Sequence, residues 1–206
     1  MTDGSSPAPR TRATYDRIAE AFLARTRDRT AIVHALEPFV HEVPPRGLVL
    51  DLGCGPGCDV ALLRGRGLRV VGADLSEGML RIGRREFPGL FVAADMRSLP
   101  FASSAFDAVW ANASLLHLAR ALVPGTLREL HRALRPGGVL FVSLKRGDGE
   151  GWDERAYGPD APRWFTYWAA EEFEGLLADA GLEVVRFWST SSPPAEWIEW
   201  LARRAG

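Results

Sequence analysis

Asp51 stands between a short apolar run and a loop in which glycines alternate with other residues. Residues 48–50 are Leu-Val-Leu, and the loop continues from Asp51 as Leu-Gly-Cys-Gly-Pro-Gly, ending at Gly57. Such glycines permit sharp turns and let a ligand approach the backbone where a Cβ would collide. A helix that begins after the loop would direct its amide N–H groups at the ligand. The carboxylate adds nothing to pyrophosphate binding, so Asp51 favours a ligand with an ammonium or sulfonium group.

Two further acids follow apolar runs in the same manner. Asp74 ends the run 68–74, and Asp95 follows the run 90–94. In nucleotide-binding βαβ units, an acid at the end of the second strand accepts hydrogen bonds from the ribose hydroxyls. A nicotinamide-dependent oxidoreductase shares this feature, but its usual Gly-x-Gly-x-x-Gly motif is incomplete here, because its third glycine is replaced by Cys58.

The elements that must position these acids alternate between strand and helix along the chain. The strand predicted at Leu48 is followed by strands at 68–74, 90–94, 106–111, 139–144 and 182–188. Helices are predicted at 13–24, 30–40, 57–64, 76–87 and 171–180, and a further one begins near Pro124. Buried apolar strands that alternate with helices indicate a doubly wound α/β fold, that is, a three-layer Rossmann-like sheet.

In five segments the chain resembles the class I S-adenosylmethionine-dependent methyltransferases, in particular the small stand-alone type that modifies small molecules. These segments occur in the expected order, at 49–57, 72–76, 94–96, 106–111 and 134–140, and the resemblance extends from about Thr14 to the C-terminus. It implies a mostly parallel sheet of seven strands whose last strand, 197–203, is antiparallel. The residues themselves leave another possibility, since Glu-Trp-Ile-Glu-Trp-Leu could also begin a helix.

The resemblance also implies a set of residues that bind S-adenosylmethionine. Those for the methionine end are Tyr15, Asp51, the backbone of Gly53 and Gly55, and Ala111. Asp74 would bind the ribose, and those for the adenine are Leu75, Met79, Asp95 and the Met96 backbone. The alternative is that each acid is an ordinary strand-end or helix-capping residue and that Tyr15 is a buried helix contact.

The acceptor side has no motif of its own. His117 follows the fourth strand and is the candidate general base; the alternative is a histidine that packs or hydrogen-bonds locally. Aromatic residues crowd the segment 146–168, in which Trp152 and Trp164 could form pocket walls or pack the loop onto the sheet. Arg163 and Lys145 could bind a carboxylate of the acceptor.

Length and composition set the remaining expectations. A chain of 206 residues suits a single domain, 13–206, with a helical lid at 13–45, after a disordered leader at 1–12. A net charge of −1 gives no reason to expect nucleic acid as a partner. Cys54 and Cys58 without nearby ligands predict no metal site, and no membrane partner is expected. The chain is expected to be cytoplasmic, as a monomer or homodimer.

The sequence therefore predicts a methyltransferase that uses S-adenosylmethionine to methylate a small molecule by in-line displacement. Methyl transfer needs no protein nucleophile, because the sulfonium is already activated. Two alternatives stay open: a non-catalytic S-adenosylmethionine-binding module or partner subunit, and a nicotinamide-dependent oxidoreductase.

Overall fold

The fold is a twisted, mostly parallel sheet with helices on both faces. A computed structural model describes residues 6–192 and 195–206. The strands are β1 Leu48–Leu52, β2 Arg69–Asp74, β3 Leu90–Ala93, β4 Phe106–Asn112, β5 Leu134–Arg146, β6 Glu150–Asp153, β7 Arg163–Trp168, β8 Leu182–Ser192 and β9 Ala195–Arg204. The helices are α1 Ala8–Thr26, α2 Val33–Glu42, α3 Cys58–Gly65, α4 Glu77–Glu86, α5 Val123–Ala133 and α6 Ala170–Asp179.

The strand order is that of a doubly wound sheet. Strands β3, β2, β1, β4 and β5 are parallel neighbours in that order. Strand β9 pairs antiparallel with β5 and then with β8, which completes the predicted architecture. The chain leaves β1 towards β2 on one side and reaches β4 on the other, so a crevice forms at the carboxyl ends of β1 and β4.

Alternating residues of the central strands bury both faces of the sheet. Val49 of β1 packs with Leu36 of α2 and Leu63 of α3, and all three are fully buried. The next residue, Leu50, faces the opposite layer, which contains Leu127 of α5 and Phe173 of α6. Because both faces are covered, the strands are apolar runs rather than alternating ones.

The segment 146–168 contains two strands that the prediction of seven strands did not include. Strands β6 and β7 form an antiparallel hairpin, and β7 also pairs with the last two residues of β5, Lys145 and Arg146. The sequence of β7, Arg-Trp-Phe-Thr-Tyr-Trp, is rich in aromatic residues, which favour strands. The remaining strands agree with the prediction, and 195–204 forms a strand rather than a helix.

The first helix begins earlier than predicted. Residues 1–5 of the predicted disordered leader lie outside the described residues, but α1 already begins at Ala8. Prolines are compatible with the first turn of a helix, and here Pro9 occupies it. The backbone N–H of Trp164 donates to the buried Thr11 Oγ1 at 3.1 Å, so the turn is fixed against β7. The segment 191–194, Ser-Ser-Pro-Pro, has the composition of a loop, but Ser191 and Ser192 belong to β8, and Pro193 and Pro194 lie outside the described residues.

Candidate functional site

A cavity of about 400 Å³ lies at the carboxyl ends of the parallel strands. The loops after β1, β2, β3 and β4 form its floor, while α1 and β7 close it from the other side. Of the residues predicted from the sequence, the structure places eleven on its wall: Tyr15, Gly53, Gly55, Asp74, Leu75, Met79, Asp95, Met96, His117, Lys145 and Arg163.

The glycine loop has a backbone conformation that residues with a Cβ rarely adopt. Gly53 and Gly55 have φ angles of +69° and +52°, in the left-handed region. A Cβ on Gly53 would lie 2.3 Å from the Cβ of Ser114, so the loop after β1 touches the loop after β4. This close approach shapes the cavity where the two halves of the sheet meet.

Asp74 at the end of β2 holds the glycine loop in place. Its carboxylate accepts hydrogen bonds from the backbone N–H of Gly55 at 2.9 Å and of Ser76 at 2.8 Å. Burial raises the pKa of Asp74, and these hydrogen bonds oppose the rise by stabilising the carboxylate. Asp74 therefore joins the first and second loops and still lines the cavity.

Asp51 lies directly behind the cavity wall and is 2% exposed. Its Oδ2 atom is buried and has no hydrogen-bond partner among the described residues. Burial, reinforced by the neighbouring Asp59, raises the pKa of Asp51 well above its usual range. A cation placed here would favour the ionised carboxyl, so the site fits a ligand with a positive charge.

Asp59, in the first turn of α3, forms a network that the sequence analysis missed. Arg29 donates to its two oxygens at 2.5 and 2.6 Å, and Trp110 Nε1 and Asn112 Nδ2 donate at 2.9 and 3.0 Å. The sequence shows Asp59 just after the glycine loop, but not its partners. Its partners come from 30 to 53 residues away, and no local pattern connects them.

Asp95 and its neighbours form the other end of the cavity. Arg97 pairs with the Asp95 carboxylate at 2.6 Å and lowers its pKa. Met79 is buried, whereas Leu75 is 36% exposed, so the predicted adenine region has one covered and one open side. Both oxygens of the Asp95 carboxylate accept hydrogen bonds from the Arg97 guanidinium, and Asp95 also lines the cavity.

Helix α1 is attached to both sides of the cavity. Thr14 Oγ1 donates to the carbonyl of Pro162, next to β7, at 2.7 Å. On the other side, the Asp16 carboxylate accepts from Ser76 Oγ at 2.7 Å and from Gly78 N–H at 2.8 Å, at the beginning of α4. The cavity is thus covered by a helix with fixed contacts at both edges.

Tyr15 and His117 form a hydrogen-bonded pair inside the cavity. His117 Nδ1 lies 2.6 Å from the carbonyl of Trp164, so this nitrogen must carry the proton. Nε2 is then the acceptor for the Tyr15 hydroxyl at 2.7 Å. Burial lowers the pKa of His117 to about 3 and raises that of Tyr15 to about 12. Both groups are therefore neutral near pH 7.

Arg163 and Lys145 line the acceptor side of the same cavity. The Arg163 side chain lies among Tyr15, Tyr157 and Phe165, with its Cζ 5.0 Å from the centres of the last two rings. Lys145 Nζ lies 3.8 Å from the centre of the Phe165 ring. The two cations contact one aromatic side chain.

Three other predicted residues lie off the cavity wall. Ala111 is fully buried in β4, and its neighbour Asn112 lines the cavity instead. Trp152 is 38% exposed on β6, with the Arg10 guanidinium 4.4 Å from its ring centre. Trp164 contributes only its carbonyl, through His117.

Residues 50–142 match the family model described as a methyltransferase domain. The match covers less than half of the 206-residue chain, and together with the fold it supports a likeness to the class I S-adenosylmethionine-dependent methyltransferases. The structure is similar to that of a Burkholderia thailandensis 1,6-didemethyltoxoflavin-N1-methyltransferase with bound 1,6-didemethyltoxoflavin and S-adenosylhomocysteine. The TM-score is 0.80 at 22% identity, over 100% of this chain and 93% of that one.

Two curated relatives are similar in sequence. A malonyl-[acyl-carrier protein] O-methyltransferase of Enterobacter lignolyticus is 33% identical over 66% of this chain and 57% of its own length. A demethylmenaquinone methyltransferase of Clavibacter sepedonicus is 39% identical over 55% of this chain and 45% of its own length. The chain thus spans about half the length of these two relatives. In the described part of the chain, no helix is long and apolar enough to cross a bilayer.

Proposed function

We propose that the chain transfers the methyl group of S-adenosylmethionine to a small-molecule acceptor. The observation that carries the proposal is a series of three carboxylates: Asp74 and Asp95 line the cavity, and Asp51 lies directly behind its wall with a buried oxygen that has no partner among the described residues. A cofactor with a cationic methionine end and a nucleoside end matches this series. When bound, S-adenosylmethionine supplies an activated methyl group, so the protein's task is positioning.

The residues of this chain have defined roles in the proposal. Asp51 would neutralise the positive charge at the methionine end, and Asp74 would accept hydrogen bonds from the ribose. Asp95 and the backbone of Met96 would bind the adenine, between Leu75 and Met79. Helix α1 would exclude water from the acceptor side, which protects the reaction from hydrolysis.

His117 acts as a positioning residue in this proposal rather than as a general base. Its Nε2 atom is engaged by Tyr15, and its pKa of about 3 makes it a weak proton acceptor near neutral pH. The pair holds Tyr15 against the cavity. The acceptor must therefore provide a nucleophile that needs no proton transfer to His117.

The relatives' names support a small organic acceptor, since they refer to a malonyl group and to demethylmenaquinone.

The test begins with calorimetric titration of S-adenosylhomocysteine and of NAD. Binding of NAD alone would favour the oxidoreductase. The second step measures S-adenosylhomocysteine release with a library of small acceptors. Cofactor binding without turnover on any acceptor would favour the non-catalytic module.

A further inference from the structure

We propose that the cavity holds a carboxylate of the methyl acceptor between Arg163 and Lys145. The inference rests on the proposed function, because it assigns the chemical class of the acceptor in that same site. Lys145, near the end of β5, and Arg163, at the beginning of β7, line the cavity together with His117. No carboxylate of the described residues lies within 4 Å of either cation.

Arg163 carries the main argument because it is only 8% exposed. Its Nε atom is buried without a hydrogen-bond partner among the described residues. Arginine stays protonated in proteins, so this position holds a charge that has lost most of its water. A buried charge without a counter-ion is unfavourable for folding, and proteins retain such groups where they bind a ligand.

The aromatic residues around Arg163 explain how the charge is tolerated. Its Cζ lies 5.0 Å from the ring centres of Tyr157 and Phe165, and 5.9 Å from that of Tyr15. Ring faces attract a guanidinium. The Tyr15 hydroxyl also interacts with Arg163, whose charge and hydrogen bonding oppose the rise in the Tyr15 pKa that burial causes, but the Arg163 Nε atom has no partner among the described residues. The donor set of a guanidinium matches a planar carboxylate, which can accept two parallel hydrogen bonds.

Lys145 supplies a second positive charge to the same space. Burial and the charge of Arg163 lower the pKa of Lys145, so the two cations are close enough to repel each other. The carboxylate that most affects Lys145 is Asp153, which pairs with Arg155 at 2.9 Å. An anion between the two cations would relieve this repulsion, whereas a neutral acceptor would leave it.

S-adenosylmethionine also has a carboxylate, so the experiment must separate two sources of the same group. Calorimetry first compares S-adenosylhomocysteine, which has the carboxylate, with methylthioadenosine, which lacks it. We expect Arg163→Met to leave both affinities unchanged. Loss of affinity for S-adenosylhomocysteine alone would assign Arg163 to the cofactor and overturn the inference. Failure of the wild type to bind S-adenosylhomocysteine would instead refute the proposed function.

The acceptor site is then tested by saturation-transfer NMR on protein loaded with S-adenosylhomocysteine. The probes are benzoate, phenylacetate and hexanoate, each compared with its own amide. We expect the carboxylates to bind at least about tenfold more tightly than the amides, as charge-assisted hydrogen bonds imply. Arg163→Met should weaken carboxylate binding by on the order of 10- to 100-fold and leave amide binding unchanged. Lys145→Met should weaken it less.

Arg10→Met is the matched control, because Arg10 also lies over an aromatic ring of the hairpin but outside the cavity. It should change no affinity. Thermal unfolding provides a second readout, and Arg163→Met should keep or raise the melting temperature, since it removes a buried unpaired charge. A lower melting temperature together with unchanged probe binding would mean that Arg163 is structural.

If Arg163→Met does not fold, Arg163→Lys and Lys145→Met decide the question. Arg163→Lys keeps the charge but loses the two parallel donors, so it should weaken carboxylate binding and leave amide binding unchanged. Equal binding of acids and amides by the wild type, or unchanged carboxylate affinity in both variants, would overturn the inference. Tighter binding of phenyl phosphate than of every carboxylate would also overturn it.

Discussion

Replacing His117 with glutamine should make the folded protein more resistant to acid. The pKa of His117 is about 3 in the folded chain, compared with an ordinary value of 6.5. Between these values the unfolded chain binds a proton that the folded chain does not. Lowering the pH therefore favours the unfolded wild type, and the stability contributed by the neutral imidazole is lost from pH 6.5 downwards.

The size of the effect follows from the proton linkage. Each pH unit between the two pKa values corresponds to about 1.4 kcal/mol, or about 2.7 kcal/mol over two units. His117 also faces the cavity, where water can reach part of the ring, so we expect about 2 kcal/mol. A glutamine amide can donate to the Trp164 carbonyl and accept from the Tyr15 hydroxyl, which preserves both hydrogen bonds.

Urea unfolding at a series of pH values provides the assay, and the free energy of unfolding of the variant is compared with that of the wild type. Relative to the wild type, the free energy of unfolding of His117→Gln should rise by about 2 kcal/mol when the pH is lowered from about 6.5 to about 4.5. His41→Gln is the matched control, since the His41 side chain is 87% exposed and has no comparable partners. A difference that stays constant with pH would refute the conclusion that His117 is neutral because it is buried.

Three further outcomes are expected. The same His117→Gln variant should keep turnover within about tenfold of the wild type, and a loss of 10²–10⁴ in the steady-state rate would instead establish a general base. Asp74→Asn should weaken the calorimetric affinity for S-adenosylhomocysteine by about 10- to 100-fold, and an unchanged affinity would contradict the assigned role. Gly53→Ala should lower the free energy of unfolding by about 2–4 kcal/mol, since it adds a clash with Ser114 to the cost of a positive φ. Gly137→Ala, with φ of +76° and open space around it, should lose only about 1–2 kcal/mol.

The sheet and the glycine loop could be predicted because their signals are local. An apolar run, an acid and alternating glycines occur within ten residues, from Leu48 to Gly57, and this short segment determines one edge of the cavity. The acids Asp74 and Asp95 repeat that signal at the ends of two neighbouring parallel strands. Parallel strands bring their carboxyl ends to one edge, so the position of the acids followed from the order of the elements.

Other parts of the site depend on contacts between distant residues. The Asp16 carboxylate binds the beginning of α4 from about 60 residues away, and nothing in its own neighbourhood indicates this. The pairing of Tyr15 with His117 spans 102 residues, and burial shifts the pKa values of both residues. The hairpin is a different case, because the β-favouring residues of β7 are present in the sequence but were interpreted as pocket walls or as a loop that packs onto the sheet.

The β6–β7 hairpin can change between related proteins, and with it the selectivity for the acceptor, without a change in the central sheet. Strand β7 joins β5 through two residue pairs, Lys145 with Tyr167 and Arg146 with Trp168. Insertions or exchanges between residues 147 and 162 therefore leave the pairing of the central sheet intact. Such changes would meet α1 at the carbonyl of Pro162, where Thr14 donates. Homologous enzymes with exchanged hairpins should thus show compensating changes in the first helix, while their glycine loops stay alike.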